Sequence, residues 1–439
     1  MDIIVCKFGG TSLADAKQFK KIKAIIKENP ARKFVVASAP GKRFAKDIKV
    51  TDLFLSCYEK AVSDTDFEEN LKRARERFED IIRDLELEFN LDKEFDKLRN
   101  HLTNCPDKEY MASRGEYLNS MILASYLGFT FVDPEWCVCF NEDGTLNEAI
   151  TKRTMSAALH PLSNAVIAGF YGADINGKIR TFSRGGSDIT GSLVACAAAA
   201  DLYENWTDVS GLLAADPSIV ESPKSVEFLS YRELRTLSYM GARVLHTDAI
   251  LPAAQRGIPI NIRNTNRPND NGTMIVRKLP KGEKRYPVTG VAGRKGMSVI
   301  QVEKVMVSDG SGFSAIMLDI LKDRNLSFEQ CLTGIDSITL VIRADLLNPC
   351  KEELLKEIED TLNPDYIGLK ENISMIAIVG EKGTESSDAN VKVLEAIADK
   401  KIEISTINQG AGKLNLLVGV PDERYEEAIR AIYSAIEEN

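Results

Sequence analysis

The chain opens on a continuous apolar run, Ile3–Cys6, as expected of a parallel strand buried on both faces. The run stops at Lys7-Phe8-Gly9-Gly10-Thr11-Ser12, and Phe19–Ile26 then spaces its apolar residues along one helical face. Phe34–Ala37 is a second buried run, closed by the turn Ser38-Ala39-Pro40-Gly41. Strand, helix and strand at this spacing predict a right-handed βαβ unit. In Asp64–Leu102, Leu71, Phe78, Ile81, Ile82, Leu85 and Phe89 recur at helical spacing among dense charges. This predicts an amphipathic helix or helical pair with a solvated face and no chemistry.

Ala112–Leu127 predicts a helix with Ser113-Arg114-Gly115-Glu116 at its head, which places Glu116 in a first turn. Phe129–Asp133, Ala165–Gly169, Asn205–Trp206 and Ile258–Arg263 predict strands, the last closing the domain; Phe228–Gly241 and Pro252–Arg256 predict helices. In Phe182–Gly191 a strand gives way to a helix that should begin at Ser187 and Asp188, both good N-caps. This alternation defines one doubly wound domain over residues 1–280, with the Gly-, Pro- and Lys/Arg-rich stretch 281–296 as a linker.

The rhythm then changes. Strand Val299–Val305, helix Phe313–Arg324, strands Leu326–Leu332 and Ser337–Arg343 and helix Lys351–Leu362 make one βαββα unit, over 297–370. Strand Ile373–Val379, helix Asn390–Lys400, strands Ile402–Ile407 and Leu414–Val420 and helix Arg424–Glu437 make a second, over 371–439. Such units form small antiparallel sheets with helices on one face. The second lacks a closing strand, so the two units are expected to share strands.

Composition narrows the class. With 44% hydrophobic and 28% charged residues and a net charge of −9, the chain reads as a soluble globular protein without a nucleic-acid or anionic-membrane surface. No apolar run reaches membrane length, and the amino terminus shows no signal pattern. Eight cysteines without a Cys-x-x-Cys pair and only three histidines argue against a structural zinc site and for a reduced, cytoplasmic setting.

The chemistry sits at predicted element ends. Lys7 with Gly9-Gly10-Thr11-Ser12 can hold a phosphate between a charge and a helix N-terminus, although a glycine turn beside an exposed lysine fits equally. Glu116 can accept from an amine, or simply favour a helix dipole. Arg184 can grip a carboxylate with two prongs, and Asp188 can answer an ammonium group or a metal. Thr207 and Asp208, before Gly211 and Ala214-Ala215-Asp216-Pro217, can line a nucleotide or magnesium pocket, or form an Asx-type turn. His246 reads as a packed or surface residue.

KFGGTSLA at Lys7–Ala14, SRGE at Ser113–Glu116, FSRGGSDITG at Phe182–Gly191, WTDVSG with AADP at Trp206–Pro217 and GARVLH at Gly241–His246 stand together in the order of the aspartokinases. The chain resembles that branch of the amino acid kinase family over nearly its whole length. The resemblance implies an α/β fold, an amino acid kinase-type doubly wound, mostly parallel sheet, followed by two α+β ACT regulatory domains. It implies transfer of the γ-phosphoryl group of ATP, with Mg2+, to the β-carboxylate of L-aspartate, the first step towards lysine, threonine and methionine. Lys7, Asp188 and Arg243 would be catalytic; Ser38, Thr51, Glu116, Arg184 and Asp188 would bind aspartate. Lys7, Gly9, Gly10, Thr207, Asp208, Leu213, Asp216, Ser218, Arg243 and Val244 would bind the nucleotide. No residue is assigned to a resident metal.

Arg243 replaces the family's usual lysine, Thr247 a proline, Leu213 a tyrosine and Ser218 an arginine. Phe328, Glu329 and Thr333 fall where relatives that sense lysine bind it, with Gly334 and Ile335 replacing a polar pair there. Gln409, in a segment resembling the family's QGA, joins the allosteric candidates through contact between ACT units, or sits in a plain hairpin turn around Gly410-Ala411-Gly412. The effector implied is lysine or threonine. Association through the ACT units would give a homodimer or homotetramer. The rival readings are a sibling kinase for glutamate, acetylglutamate or a nucleotide, and an amino-acid sensor with a decayed kinase half. Glu116 and Arg184 favour a short amino acid with a free amine.

Overall fold

In this computed structural model the described residues are 2–183, 185–242, 245, 247–279, 288–305, 312–380, 387–410 and 414–437. They fall into two compact units. The first comprises Met1–Leu212, Ser225–Leu234 and Val244–Lys281; the second comprises Leu213–Lys224, Arg235–Arg243 and Gly282–Asn439.

The first unit opens with β1 (Ile4–Phe8), α1 (Ala16–Glu28) and β2 (Arg32–Ala37). Four helices follow: α2 (Val50–Val62), α3 (Glu68–Asp84), α4 (Asp92–Asn104) and α5 (Lys108–Leu127). The chain continues through β3 (Thr130–Val132), β4 (Cys139–Phe140), α6 (Glu148–Leu159), β5 (Ala165–Ala168), β6 (Tyr171–Asp174) and β7 (Ile179–Thr181). It closes with α7 (Gly186–Ala197), β8 (Leu202–Thr207), β9 (Phe228–Ser230), the first turn of α8 (Tyr231–Tyr239), whose residues from Arg235 on belong to the second unit, then α9 (Leu251–Arg256), β10 (Ile260–Asn264) and β11 (Thr273–Val276).

Eight strands form one sheet in the order β3-β5-β2-β1-β8-β10-β11-β9, and all pairs are parallel except β10–β11. Ile4, Cys6 and Phe8 of β1 enter the core shared with α1 to α5. Side chains alternate along a strand, so Lys7 takes the other face, where α7 packs. Parallel register then brings Phe8, Ala37, Ala168 and Thr207 to the same, carboxyl edge.

Several expectations change. The amphipathic stretch 64–102 is a helical pair, α3 and α4. Residues 228–230, expected as helix, pair with β11, because Phe228-Leu229-Ser230 continues the sheet before the helix turns in. Ile258–Arg263 shifts to β10 and is followed by another strand, β11, at an antiparallel edge. Helix α5 begins at Lys108, where the Asp107 side chain caps the Tyr110 N–H; Glu116 therefore sits in mid-helix rather than in a first turn. Helix α7 starts a residue before Ser187, capped by Gly185 at φ 60°, a left-handed conformation that costs glycine little.

The second unit contains β12 (Gly290–Glu303), α10 (Phe313–Asp323), β13 (Gln330–Thr333), β14 (Ser337–Arg343), the short α11 (Ala344–Leu347) and α12 (Lys351–Leu362). It continues with β15 (Tyr366–Val379), α13 (Ser387–Asp399), β16 (Thr406–Gln409), β17 (Asn415–Pro421) and α14 (Tyr425–Glu437). One antiparallel sheet runs β13-β14-β12-β15-β17-β16. Strand β12 starts at Gly290, inside the stretch read as linker. Its residues 290–294 pair with the second half of β15, and its residues 297–303 with β14. The second repeat thus takes its missing strand from the residues that precede the first. The strands expected from Leu326 and Ile402 begin later, at Gln330 and Thr406, since Leu326 and Ile402 close the preceding helices and pack in the core.

Candidate active site

At the carboxyl edge of the large sheet, the Lys7 ammonium lies 2.6 Å from the Asp188 carboxylate. Lys7 is 8% exposed. Asn205, on β8, donates from Nδ2 to the same carboxylate at 2.9 Å and fixes its orientation. The N–H of Gly9 donates to the Trp206 carbonyl at 3.0 Å, and Ser12 shares a hydroxyl hydrogen bond with Thr265 at 2.7 Å. These contacts hold the Gly9–Ser12 loop against the ends of β8 and β10.

Glu116 reaches the same edge from α5. Gly115 makes this possible: a Cβ there would stand 2.7 Å from the Ala39 Cβ, so only glycine lets α5 approach the loop after β2. Burial pushes the Glu116 carboxyl up to about 7, against backbone hydrogen bonding at Ala39 and the nearby charges of Arg114 and Lys7. Its Oε2 is buried without a partner among the described residues. Arg114 is turned away from this role. Its guanidinium lies 4.4, 4.5 and 5.1 Å from the ring centres of Tyr110, Tyr117 and Tyr171 and packs the helix by cation–π contact. The Ser38 carbonyl accepts from Asn119 Nδ2 at 2.7 Å, and Thr51 stands at the start of α2 facing Gly115.

Thr207 ends β8 and Asp208 follows it. The Thr207 hydroxyl lies 3.2 Å from the Asp208 carboxylate, and the Asp208 carbonyl accepts from Asn264. Lys7, Gly9, Gly10, Ser38, Thr51, Glu116, Asp188, Thr207 and Asp208 all belong to the first unit. Leu213, Asp216 and Ser218 belong to the second, where the Asp216 carboxylate caps its own turn by accepting from Ser218 N–H and Oγ at 2.8 and 2.7 Å. Arg184, Arg243, Val244 and His246 lie outside the described residues. Among the described residues no group of three His, Cys, Asp or Glu side chains converges as a metal site.

Of the effector candidates, Phe328, Glu329 and Thr333 lie on or beside β13, whereas Gln409 ends β16 and accepts from Asn390 at 3.1 Å. These strands are the two opposite edges of the sheet. The structure does not bring the four residues together within one chain, because the repeat puts its equivalent strands at opposite ends.

Two features of the site escaped the sequence reading. Arg77, on the face of α3 assigned no chemistry, is 5% exposed. It donates to the carbonyls of Gly41 at 2.8 Å, Ile48 at 3.0 Å and Ala14 at 3.3 Å, and pairs with Asp47 at 3.0 Å. Burial works against the Asp47 anion, but hydrogen bonds from Arg43 and the charge of Arg77 hold its carboxyl down at about 2. The Gly41 N–H in turn donates to the Gly10 carbonyl at 2.8 Å, so Arg77 ties together both loops around Lys7. Arg77→Met is expected to destabilise the protein by about 2–4 kcal/mol and to raise the substrate KM values, with Arg77→Lys restoring only part. Urea denaturation and initial rates check this; wild-type behaviour of the methionine variant would remove the clamp.

The second feature is Glu204, 2% exposed. It accepts from Arg32 at 2.8 and 3.1 Å and from the Trp206 indole at 2.9 Å, linking β8 to β2 across β1. The available signal was a charged residue just ahead of each predicted run, Arg32 before Phe34–Ala37 and Glu204 before Asn205–Trp206, and both strands begin earlier than those runs.

The geometry defines a class: an α/β enzyme whose sheet edge offers a buried ammonium–carboxylate pair, a glycine loop and an unpaired carboxyl. A sequence model of the amino acid kinase family matches residues 2–264, and one of the ACT domain matches residues 376–436. The chain is 34% identical to aspartokinase 3 of Bacillus subtilis, over 98% of this chain and 97% of that one. It is 41% identical to the aspartate kinase of Clostridium acetobutylicum, whose crystal structure superposes with a TM-score of 0.89 over 99% of this chain and 100% of that one. Escherichia coli aspartokinase III, solved with aspartate and ADP, has the same fold at 23% identity, with a TM-score of 0.75 over 99% of each chain. The chain belongs to the amino acid kinase family and, within it, to the aspartokinases.

Proposed function

We infer that this chain transfers the γ-phosphoryl group of ATP to the β-carboxylate of L-aspartate, giving 4-phospho-L-aspartate and ADP. The observation that carries the reading is the buried Lys7–Asp188 pair within electrostatic reach of the buried Glu116. A β-carboxylate oxygen attacks the γ-phosphorus, the bond to the β-phosphate oxygen breaks, and ADP leaves. The carboxylate is already ionised, so no general base is needed; alignment and positive charge supply the rate. Lys7 offsets charge on the attacking carboxylate and the phosphoryl oxygens, while Asp188, fixed by Asn205, holds Lys7 in place.

Glu116 answers the aspartate ammonium and Arg184 its α-carboxylate, with Ser38 and Thr51 on the same side. Gly9, Gly10, Thr207 and Asp208 face the nucleotide, and the resemblance to the aspartokinases assigns Leu213, Asp216, Ser218, Arg243 and Val244 to the same ligand. Magnesium enters with ATP as part of the substrate, held chiefly by phosphate oxygens, as this hard cation prefers. A cytoplasmic setting fits the eight free thiols.

The tandem ACT units confer feedback regulation by an amino acid, lysine or threonine. The exposed edge strands β13 and β16 support assembly into a homodimer or homotetramer, in which a second chain would complete an effector site. The lysine complex of E. coli aspartokinase III supports an amino-acid effector. The test is ATP consumption with L-aspartate and magnesium, trapping the acyl phosphate with hydroxylamine, with lysine and threonine added singly and together. Hydroxamate is the expected product. Its absence with aspartate but presence with glutamate would move the substrate to a sibling.

A further inference from the structure

A second feature of the regulatory unit is a cavity of about 260 Å³ between the last turn of α8 and the sheet face opposite α10 to α14. All its lining residues belong to the second unit. Its floor is apolar and soft: Met240, Met297, Met375 and Leu417. Its wall is charged and polar: Arg235, Arg294, Glu329 and Gln330.

Three observations mark this cavity as a binding site. Arg235 and Arg294 make no ion pair or side-chain hydrogen bond among the described residues, although one carboxylate, Glu329, lines the same cavity. Gln330 is 7% exposed, and its buried amide oxygen has no partner among the described residues, a cost that a ligand donor would relieve. Glu329 is held by the Tyr239 hydroxyl at 2.5 Å, so a carboxylate is already oriented beside the arginines. Burial and this hydrogen bond raise the Tyr239 hydroxyl, while the charges of Arg294 and Arg343 act the other way, which sets Arg294 near the pair.

The volume suits one small molecule rather than a nucleotide. Guanidinium groups select a carboxylate, a carboxylate with an amide oxygen selects an ammonium, and a methionine floor accepts an apolar side chain of variable shape. A second ligand charge would be desolvated against that floor, which disfavours lysine and aspartate here.

We propose that this cavity binds a free α-amino acid with an apolar side chain, its carboxylate on Arg235 and Arg294 and its ammonium on Glu329 and Gln330. The cavity takes Glu329 from the effector candidates, but neither Phe328, Thr333 nor Gln409 lines it, and it is complete within one chain. The proposal rests on the reading of the second unit as an amino-acid-binding regulator.

The test is calorimetric titration of the full-length protein with L-methionine and L-leucine, leucine methyl ester and the 2-oxo acid of leucine. At least one of the two amino acids is expected to bind and to raise Tm. The ester, lacking the carboxylate, and the oxo acid, lacking the ammonium, are expected to bind at least tenfold more weakly. Arg294→Gln should weaken binding at least tenfold, and Met375→Trp, which fills the floor, should abolish it. Absence of binding and of a Tm shift with both amino acids overturns the proposal, as does undiminished binding in both variants or equal binding of the oxo acid. Hydroxamate formation from aspartate is measured on the same preparation. Activity without binding overturns the cavity alone; binding without activity overturns the kinase reading alone.

Discussion

Lys7→Met is expected to lower kcat by about a hundred- to a thousand-fold while changing the KM for aspartate only a few-fold. The reason is the place of the charge. Lys7 is buried at the end of β1 and its ammonium is held at 2.6 Å by Asp188, itself fixed by Asn205. In such low-dielectric surroundings a fixed ammonium acts on developing charge far more strongly than it could in water. It needs no reorganisation as the phosphoryl group moves. Its contribution therefore falls mainly on the transition state, and kcat records it.

Removing Lys7 also leaves Asp188 without its ion pair, so the single variant should be less stable. The double variant Lys7→Met/Asp188→Asn separates the two effects: it should regain thermal stability without regaining turnover. Lys7→Arg should remain impaired, because a planar fork cannot occupy the position of a point charge so close to Gly9 and Asp188. Steady-state rates with trapped hydroxamate check all three. A methionine variant with wild-type kcat would remove Lys7 from the reaction.

The parts of this fold that were legible in the sequence have one physical origin. Ile3–Cys6 and Phe34–Ala37 are strands buried on both faces, and such strands must be apolar throughout. The helices Lys351–Leu362 and α14 carry one apolar stripe each, and the stripe fixes their extent. What stayed hidden depends on pairing over distance. Phe228-Leu229-Ser230 is a strand only because β11 arrives beside it, and Gly290–Arg294 reads as a glycine-containing linker until β15 pairs with it. The same division runs through the site. Lys7, Glu116 and Asp188 stood out as polar residues at the ends of apolar runs, in blocks whose order resembles a family. Arg77 did not, because its partners are backbone carbonyls, which leave no mark in sequence. Asn205 was read only as part of a strand; its role lies in the Asp188 carboxylate 17 residues away in the chain. Arg114, prominent in its motif, turned out to be packed among tyrosines.

Aspartate binding is expected to weaken with acid through Glu116. Its carboxyl is pushed up to about 7 by burial, so near neutrality the free enzyme is a mixture of carboxyl and carboxylate. In the proposed reaction the substrate ammonium pairs with the carboxylate. Below about pH 7 the neutral carboxyl must first lose its proton to solvent, and the apparent KM for aspartate rises; above it, KM is flat. Between about pH 8 and about pH 6 the increase should be roughly tenfold, the population of the ionised form at a group titrating near 7. The Mg–ATP KM should follow a different profile, since Glu116 is not among the residues proposed to face the nucleotide.

The folded protein reports the same group independently. Because the folded carboxyl titrates above its unfolded value of 4.5, the folded state holds the extra proton in the interval from 4.5 to about 7. Stability without aspartate must therefore fall as pH rises through that interval, and saturating aspartate should offset the fall. Glu116→Gln keeps the shape and removes the titration. It should raise the KM for aspartate by about ten- to a hundredfold, the loss expected for one charge-assisted hydrogen bond, and flatten both pH profiles. Initial rates and thermal melts across pH, for wild type and variant, make the comparison. If the acid rise in KM persists unchanged in Glu116→Gln, the ammonium is held elsewhere and the carboxyl at the head of this site serves only packing.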